Sequence, residues 1–227
     1  MRGRRLIVLA LLFAATSAYS QAEWNSVVSF SGEISKKIVS GLSISLQEDI
    51  RLNAGKQTFR SSISTLQLDY ALVPKWLKIG AIYTYRYQLN DDRYFQHRHR
   101  WAAQAALKRN LSLDWNIMFR LRYQSSYREE YYKAYKVNPK NYLRVKCGFE
   151  YNIKGSRWAY SAFAEPFVYL NNPLHPFLMD RLRYQFDAEY RLGRYAYLNG
   201  FVRLDQAIQV KQPVNTLMVG VVYRYKL

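Results

Sequence analysis

Apolar and polar residues alternate one by one from Leu111 to Tyr127, over seventeen consecutive positions. Successive side chains of a β-strand point to opposite faces, so this segment has one apolar face with aromatic residues and one face of charges, amides and hydroxyls. Strands of globular domains usually have about five or six residues, whereas a tilted strand that crosses a bilayer needs about nine to eleven. The alternation therefore predicts a strand with lipid on one side and water on the other.

The same alternation recurs in five other parts of the chain, over residues 42–47, 77–88, 143–153, 182–192 and 216–227. Repeated amphipathic segments of this kind are typical of a transmembrane β-barrel. After the first twenty residues, no apolar run reaches the length of about 18 residues that a transmembrane helix needs. We therefore predict an all-β chain that forms a transmembrane antiparallel up-and-down β-barrel of about 10 to 12 strands.

The N-terminus has the features of a signal peptide. Three arginines among the first five residues precede an apolar stretch over residues 6–15, and Ala18-Tyr19-Ser20 offers small residues at the two positions that a signal peptidase reads. We predict a cleaved signal peptide over residues 1–20. The barrel, over residues 38–227, is then expected in the outer membrane of a Gram-negative cell.

The composition agrees with a single barrel. The 227 residues include 21 Tyr, 11 Phe and 5 Trp but only 6 Pro, which suits long strands edged by aromatic belts. The lone Cys147 has no cysteine partner within the chain. Its phase places it on the outward apolar face, where we interpret it as a small hydrophobic residue.

Short and long connections alternate between the strand-like segments. Short polar turns are expected at Val73-Pro74-Lys75, Lys108-Arg109-Asn110, Lys154-Gly155-Ser156 and Gly193-Arg194, and longer loops at about 90–95, 128–140 and 171–178. Bacterial barrels have short periplasmic turns and long outer loops. On that rule, strands that start near residues 38, 76, 111, 157 and 195 run outward and strands that start near 59, 96, 141, 179 and 215 run back. This gives ten strands and a periplasmic C-terminus.

Residues 21–37 do not fit this count. Trp24 to Ile34 looks like a strand, but the short turn at Ser35-Lys36-Lys37 would make it run down from the outer side, although the N-terminus of a secreted chain starts in the periplasm. Three arrangements are open: the segment lies in the lumen or periplasm beside ten strands, it is one strand of a twelve-stranded barrel, or the strand number is odd. Single-chain bacterial barrels have even numbers as a rule, so we expect ten or twelve.

Five short motifs on successive segments point to a known family: Gln47-Glu48-Asp49-Ile50-Arg51, His97-Arg98-His99-Arg100-Trp101, Phe119-Arg120-Leu121-Arg122, Glu165-Pro166-Phe167 and Asp180-Arg181-Leu182-Arg183. In these motifs and their order the chain resembles the outer-membrane barrels of a Bacteroidetes-type family of unknown function, over nearly all of its length after residue 20. The resemblance implies an outer-membrane location and no established activity. Members often have an acidic residue before the His-Arg pair, where this chain has Gln96, so an ion pair is not expected there.

The inward polar face predicts a basic lumen. Its basic residues are Arg51, Arg86, Arg98, Arg100, Arg120, Arg122, Arg144, Lys146, Arg181, Arg183 and Arg191, and its acidic residues are Asp49, Asp69, Asp114, Glu150, Glu165, Asp187 and Glu189. A positive ring in a water-filled pore favours anions, which predicts a narrow, porin-like passive channel. In a narrow barrel the same side chains can instead form an ion-pair network that fills the lumen.

These two alternatives make different predictions for four arginines. A channel has a continuous wet path past Arg98, Arg120, Arg144 and Arg183. A non-conducting barrel, which is structural or contacts a ligand or lipopolysaccharide, has no path and ties these arginines to Asp114, Glu150, Asp187 and Glu189.

The formal net charge of +18 would suggest nucleic acid as a partner of a soluble protein, but export argues against it. We expect the basic excess to serve lipid phosphates, an anionic solute or the balance of lumen carboxylates. The expected partners are outer-membrane lipids, lipopolysaccharide and the barrel-assembly machinery. Four tyrosines are expected to form an aromatic girdle or, alternatively, to stack on a sugar or lipopolysaccharide: Tyr127, Tyr131, Tyr132 and Tyr135.

A third alternative is lipid hydrolysis by a serine and a histidine on the lipid-facing wall. His97 and His99 fall on the outward face, and Ser125 faces outward on the next strand, but the sequence shows no third group that would orient the histidine. His175 lies in an outer loop without a nearby nucleophile. We expect no enzymatic activity, no cofactor and no metal, and we interpret His97 and His99 as polar-tipped rings of the interfacial belt.

Overall fold

Eleven β-strands form a closed barrel in the structure, a computed structural model that describes residues 23–55, 58–74, 76–89, 94–129, 137–210 and 212–227. The strands are β1 (Glu23–Val39), β2 (Leu42–Asn53), β3 (Thr58–Val73), β4 (Leu77–Leu89), β5 (Phe95–Asn110), β6 (Trp115–Arg128), β7 (Lys140–Asn152), β8 (Trp158–Tyr169), β9 (Leu178–Arg191), β10 (Ala196–Ala207) and β11 (Val214–Lys226). The all-β barrel that the alternation predicts is confirmed. Among these residues, no helix is long and apolar enough to cross a membrane.

The barrel closes through a parallel pair of strands. Each strand from β1 to β10 pairs antiparallel with the next along the chain, and β1 then pairs parallel with β11, from Glu23 opposite Val214 to Ser35 opposite Lys226. An up-and-down barrel with an odd number of strands must close in this way, because its first and last strands run in the same direction. The expected even number of strands is therefore wrong, and Glu23–Val39 is a strand of the wall.

The connections separate the barrel into two ends. The short-turn end has the connections over residues 40–41, 74–76, 111–114, 153–157 and 192–195, and the long-loop end has those over 54–57, 90–94, 129–139, 170–177 and 208–213. The Leu227 N–H donates to the Ser35 carbonyl at the short-turn end (2.7 Å), and the Glu23 N–H donates to the Pro213 carbonyl at the long-loop end (3.1 Å). The barrel thus begins and ends at opposite ends. The predicted signal peptide over residues 1–20 lies outside the described residues.

Strand β6 starts four residues later than the alternation suggests. The N–H groups of Leu111 and Ser112 both donate to the Trp115 carbonyl, at 2.8 and 3.2 Å, which closes a turn over residues 111–114. The turn expected at Lys108-Arg109-Asn110 is instead the end of β5. Alternation indicates which side a residue faces in an extended chain, but it does not show where the chain turns. Here the apolar and polar residues continue to alternate through the turn over residues 111–114, so the alternation places the start of β6 too early.

The two faces of the wall differ in the way that the alternation predicts. In β6, the outward Phe119 and Leu121 are 39% and 41% exposed, whereas the inward Asn116 and Gln124 are 8% and 4% exposed. The outward Cys147 is exposed. One part of the inner face is apolar, where a cluster on β1, β10 and β11 is buried beside the parallel pair: Val27, Phe201, Met218 and Val222.

Arg224 links strands on both sides of the closure. Its Nε donates to Glu33 Oε2 on β1 (3.2 Å), and its Nη1 reaches across β10 to Glu189 Oε2 on β9 (2.5 Å). We expect Arg224→Met to lower the free energy of unfolding by about 1 kcal/mol, since all three side chains are partly exposed and such pairs contribute little more. Urea unfolding of the refolded chain in detergent measures this loss. Arg157→Met, at an exposed turn position, is the control, and equal stability of the two variants would contradict a role of Arg224 in the closure.

Candidate functional site: an arginine-rich inner wall

Three arginines on the inner wall share one buried carboxylate. Glu165 on β8 is only 1% exposed. Its Oε1 accepts from Arg120 Nη2 on β6 at 2.9 Å, and its Oε2 accepts from Arg144 Nη2 on β7 at 2.7 Å. Arg183 Nη1 on β9 lies 3.8 Å from the same Oε2. One negative charge therefore faces three positive charges in this cluster, which we call the Glu165 hub (Glu165, Arg120, Arg144 and Arg183).

The local sequence of β8 positions the hub. Pro166 follows Glu165 and has no N–H to donate to a ladder, and the pairing between β7 and β8 passes over it, from Arg144–Phe167 to Cys147–Ala164. Phe167, the next inward residue, lies under the guanidinium of Arg144, with 4.2 Å from Cζ to the ring centroid, and near that of Arg183 at 5.0 Å. A cation over an aromatic face is attracted by the ring quadrupole, so the ring helps to hold both arginines against the wall.

Two nitrogens of the hub have no hydrogen-bond partner within the described part of the chain. These are Nε of Arg120 and Nε of Arg144, both buried. A buried donor without an acceptor costs roughly 1–3 kcal/mol, more where it is charged. The hub therefore keeps hydrogen-bonding capacity for a further acceptor.

Other inward arginines are held by neutral side chains. The four pairs are Arg98 with Gln96 Oε1 (Nε 3.1 Å, Nη2 2.8 Å), Arg122 with Gln104 Oε1 (Nε 3.2 Å, Nη2 2.6 Å), Arg203 with Gln185 Oε1 (Nε 2.6 Å) and Arg100 with Ser126 Oγ (Nε 3.3 Å). An amide or hydroxyl oxygen orients a guanidinium but does not neutralise it. Arg100, Arg122 and Arg203 thus keep their positive charge directed at the inner face.

The inward carboxylates have partners of both kinds. Asp49 accepts from Arg51 Nη2 (2.6 Å) and Ser29 Oγ (2.6 Å). Asp69 accepts from Gln104 Nε2 at 3.1 Å across Gly80, where a Cβ would lie 2.2 Å from Asp69 Oδ1. The others have these partners: Glu150 with Lys108 (2.6 Å), Asp187 with Gln185 (2.7 Å) and Asn199 (3.2 Å), and Glu189 with Arg224 (2.5 Å). The lining is a hydrogen-bonded network in which arginine is the commonest ionised residue.

The partners of the central arginines differ from those proposed for a non-conducting barrel. Arg183 donates to Asp205 through Nε (2.6 Å) and Nη2 (2.8 Å). Arg120 and Arg144 donate to Glu165, which also lies near Arg183. Asp114 lies in the turn before β6, where its carbonyl accepts from the Asn152 N–H (2.8 Å). The expectation that Asp114, Glu150, Asp187 and Glu189 bind these arginines is therefore wrong.

Three further basic residues that the sequence places in the lumen have different surroundings. Lys146 Nζ lies 3.2 Å from the ring centroid of Phe163 on the inner wall. Arg181 is exposed, with its guanidinium 5.3 Å from the Phe167 ring. Arg191 is exposed at the short-turn end, where its Nε donates to the Gly193 carbonyl (3.3 Å).

Sequence reasoning missed Asp205 and Arg203 on β10, and Glu33 and Arg224 at the closure. Each follows the period of two, since Tyr197, Asn199, Phe201, Arg203 and Asp205 are alternate residues of one strand. The signal was present, because the outward residues of β10 include Leu198, Val202 and Leu204, but the aromatic Tyr197 and Phe201 on the inward face made the alternation less conspicuous.

The outward histidines contact tyrosines. His97 Nδ1 lies 2.6 Å from Tyr85 Oη, and His99 Nδ1 lies 2.8 Å from Tyr83 Oη. Ser125 Oγ donates to Asn141 Oδ1 (2.8 Å) rather than to His99. The described residues hold no group of three His, Cys, Asp or Glu side chains that could bind a metal. Tyr131, Tyr132 and Tyr135 lie outside the described residues.

Comparison with family models identifies the family of this chain. The model of a family described as "Protein of unknown function (DUF2490)" matches residues 24–214, which cover β1 to the start of β11. No curated protein matches the chain. The match carries no information on the source organism, so the Bacteroidetes origin stays a prediction. With most of its length matched, the chain belongs to the DUF2490 family, whose function is unknown.

Proposed function

We propose that this protein is an integral outer-membrane β-barrel that lets small anions pass through a narrow lumen. Two features support the membrane location: an outward face of exposed apolar and aromatic side chains around a closed barrel, and the signal-peptide pattern of residues 1–20. The first feature does not fit a soluble protein, which rarely exposes large contiguous apolar surface.

The observation that carries the anion preference is the anchoring of inward arginines by neutral partners. Arg100, Arg122 and Arg203 are oriented by glutamine or serine oxygens and keep their charge. In the Glu165 hub, three arginines share one carboxylate, and Arg183 also binds Asp205, so positive charges still outnumber negative ones. Walls of low dielectric focus the field of such charges on a permeating ion, so a lumen lined in this way attracts anions and repels cations.

A non-conducting barrel is the second candidate, and one observation favours it. The inner face beside the closure is apolar and buried, with Val27 at 2% and Met218 at 4% exposure. Packed side chains fill the interior of small barrels. In this alternative the arginine network stabilises the wall, and the function lies in contacts with lipid, lipopolysaccharide or another ligand.

Conductance of the refolded chain in planar bilayers tests the proposal. A channel gives stepwise openings, and in a salt gradient the reversal potential has the sign of anion selectivity. A barrel that is correctly folded, as judged by its altered gel mobility without heating, but gives no openings would overturn the proposal in favour of the non-conducting alternative.

Arg122→Gln tests which residues confer the selectivity. Arg122 is chosen because its partner Gln104 is neutral, so the substitution leaves no carboxylate unpaired. We expect the ratio of anion to cation permeability to fall by roughly two- to tenfold. A unit charge about 4 Å from an ion changes the energy of that ion by about 1 kcal/mol at a dielectric constant of about 80, and by more where the dielectric constant is lower. Arg109→Gln, which removes the same charge from an exposed outward position at the end of β5, is the control. An equal change in both variants would contradict a lining role for Arg122.

A further inference from the structure

Three arginines occupy directly opposite positions on three neighbouring strands. Arg86 on β4 pairs with Arg98 on β5, and Arg98 pairs with Arg128 on β6. Arg100 is the next inward residue of β5 after Arg98. Like charges directly opposite each other in a sheet repel, so a bound anion would be favourable here. We call these four residues the arginine row.

Among the residues that the structure describes, Arg86 is the member of the row without a partner for its charge. No hydrogen bond or ion pair joins its guanidinium to another residue within the described ranges, and its Nε is buried without an acceptor. An ionised group taken out of water without a partner is costly, and this cost is recovered when an acceptor is bound.

The inward positions around Arg86 contain no carboxylate. On its own strand and on the two neighbours they are Ser61, Ile63, Thr65, Thr84, Gln88, Gln96, Arg98 and Arg100. These residues offer guanidinium, amide and hydroxyl groups, together with one apolar side chain. The inward carboxylate of β2, Asp49, is already bound by Arg51 through two nitrogens (2.8 and 2.6 Å).

We propose that the arginine row binds a phosphate group, as free phosphate or on a phosphorylated solute. A guanidinium presents its N–H groups in a planar fork that matches two oxygens of a phosphate. A phosphate carries about −1.5 to −2 charges near pH 7, which offsets two of the arginines, and it has oxygens enough for Arg86 Nε and for the neighbouring hydroxyl and amide donors. A single chloride ion could satisfy only part of these donors.

The row lies close to the long-loop end. Arg86 is three residues before the end of β4, Arg98 is three residues after the start of β5, and Arg128 is the last residue of β6. A ligand that enters from this end meets the row before the Glu165 hub. The inference rests on the proposed function, for which it names the substrate class: the row selects phosphate-bearing solutes at the mouth of the lumen.

Calorimetric titration of the refolded full chain in detergent with inorganic phosphate, and separately with a hexose phosphate and the matching hexose, tests the site. We expect saturable binding of phosphate or of the hexose phosphate, and none of the hexose. Arg86→Gln is expected to weaken binding at least tenfold, because it removes a charge-assisted hydrogen bond to the phosphate. Arg109→Gln, with the same loss of charge on the outward face, is expected to bind like the natural chain.

Arg86→Lys keeps the positive charge but removes the planar fork of guanidinium N–H groups, so we expect it to bind phosphate with intermediate affinity. Arg100→Gln is a second test within the row, should Arg86→Gln fail to fold. Absence of saturable phosphate binding by the correctly folded chain overturns the proposal, and so does a folded Arg86→Gln variant with unchanged affinity.

Conductance separates this inference from the proposed function. Phosphate binding by a barrel that gives no openings supports the site and refutes the channel. Anion-selective openings that are neither blocked by phosphate nor accompanied by its binding support the channel and refute the site. Openings that phosphate blocks in the natural chain, but not in Arg86→Gln, support both.

Discussion

Glu165→Gln is expected to lower the free energy of unfolding by about 3–5 kcal/mol, or to prevent the barrel from folding. The substitution keeps the shape of the side chain and removes the only carboxylate shared by Arg120, Arg144 and Arg183. The three guanidinium groups would then repel one another in a buried position, with only Asp205 left to neutralise Arg183. Urea unfolding of the refolded chain in detergent, followed by tryptophan fluorescence, measures the loss.

Glu23→Gln is the matched control for this experiment. Glu23 is exposed at the start of β1 and forms no ion pair with any residue that the structure describes. Its substitution should change stability by less than about 0.5 kcal/mol. If Glu165→Gln were as stable as this control, the hub would be sufficiently hydrated to do without its carboxylate.

Gly148→Ala should destabilise the barrel by about 1–3 kcal/mol or more, because the added methyl group has no space. A Cβ on Gly148 would lie 2.4 Å from the Ala162 carbonyl oxygen, 2.5 Å from Phe163 Cβ and 3.0 Å from Phe163 Cα. These atoms belong to the backbone of β8 or to the start of a side chain, so β8 itself would have to move. The same urea titration measures the effect.

Gly200→Ala makes the corresponding change where there is space. Gly200 lies within β10, and a Cβ there would meet no atom within 4 Å. We expect this variant to be neutral or more stable by about 0.4–1 kcal/mol, since alanine restricts the unfolded chain. Similar losses in the two variants would mean that the close contact of β7 with β8 is not the cause.

The expected strands show where sequence reasoning succeeds. Alternation in β7 places Arg144 inward and Cys147 outward, and the structure has Arg144 buried and Cys147 exposed. It fails at the turn over residues 111–114, because the same alternation continues through a reversal that hydrogen bonds to the Trp115 carbonyl create. It also gave no reason to expect a parallel pair, since the even number of strands came from a rule about other barrels.

The inner wall shows the same division. Sequence reasoning gathered Arg120, Arg144 and Glu165 on one face, but it chose other carboxylates as partners for the arginines. Glu165 lies 45 positions from Arg120 and 21 positions from Arg144 along the chain. Which inward residues become neighbours depends on the register of each strand pair. A shift of the register by two residues leaves every side chain on the same face, so the alternation does not show which register is adopted.

By itself, then, the sequence determined the strand-forming segments, the face that each side chain takes and hence the barrel, because the direction of a side chain follows from its position along an extended backbone. Only the tertiary structure decided the odd number of strands, the parallel closure between β1 and β11, the sharing of Glu165 by three arginines and the burial of Arg86 Nε without an acceptor among the described residues. These features depend on how strands far apart in the chain align around a closed circle, and no local pattern specifies that alignment.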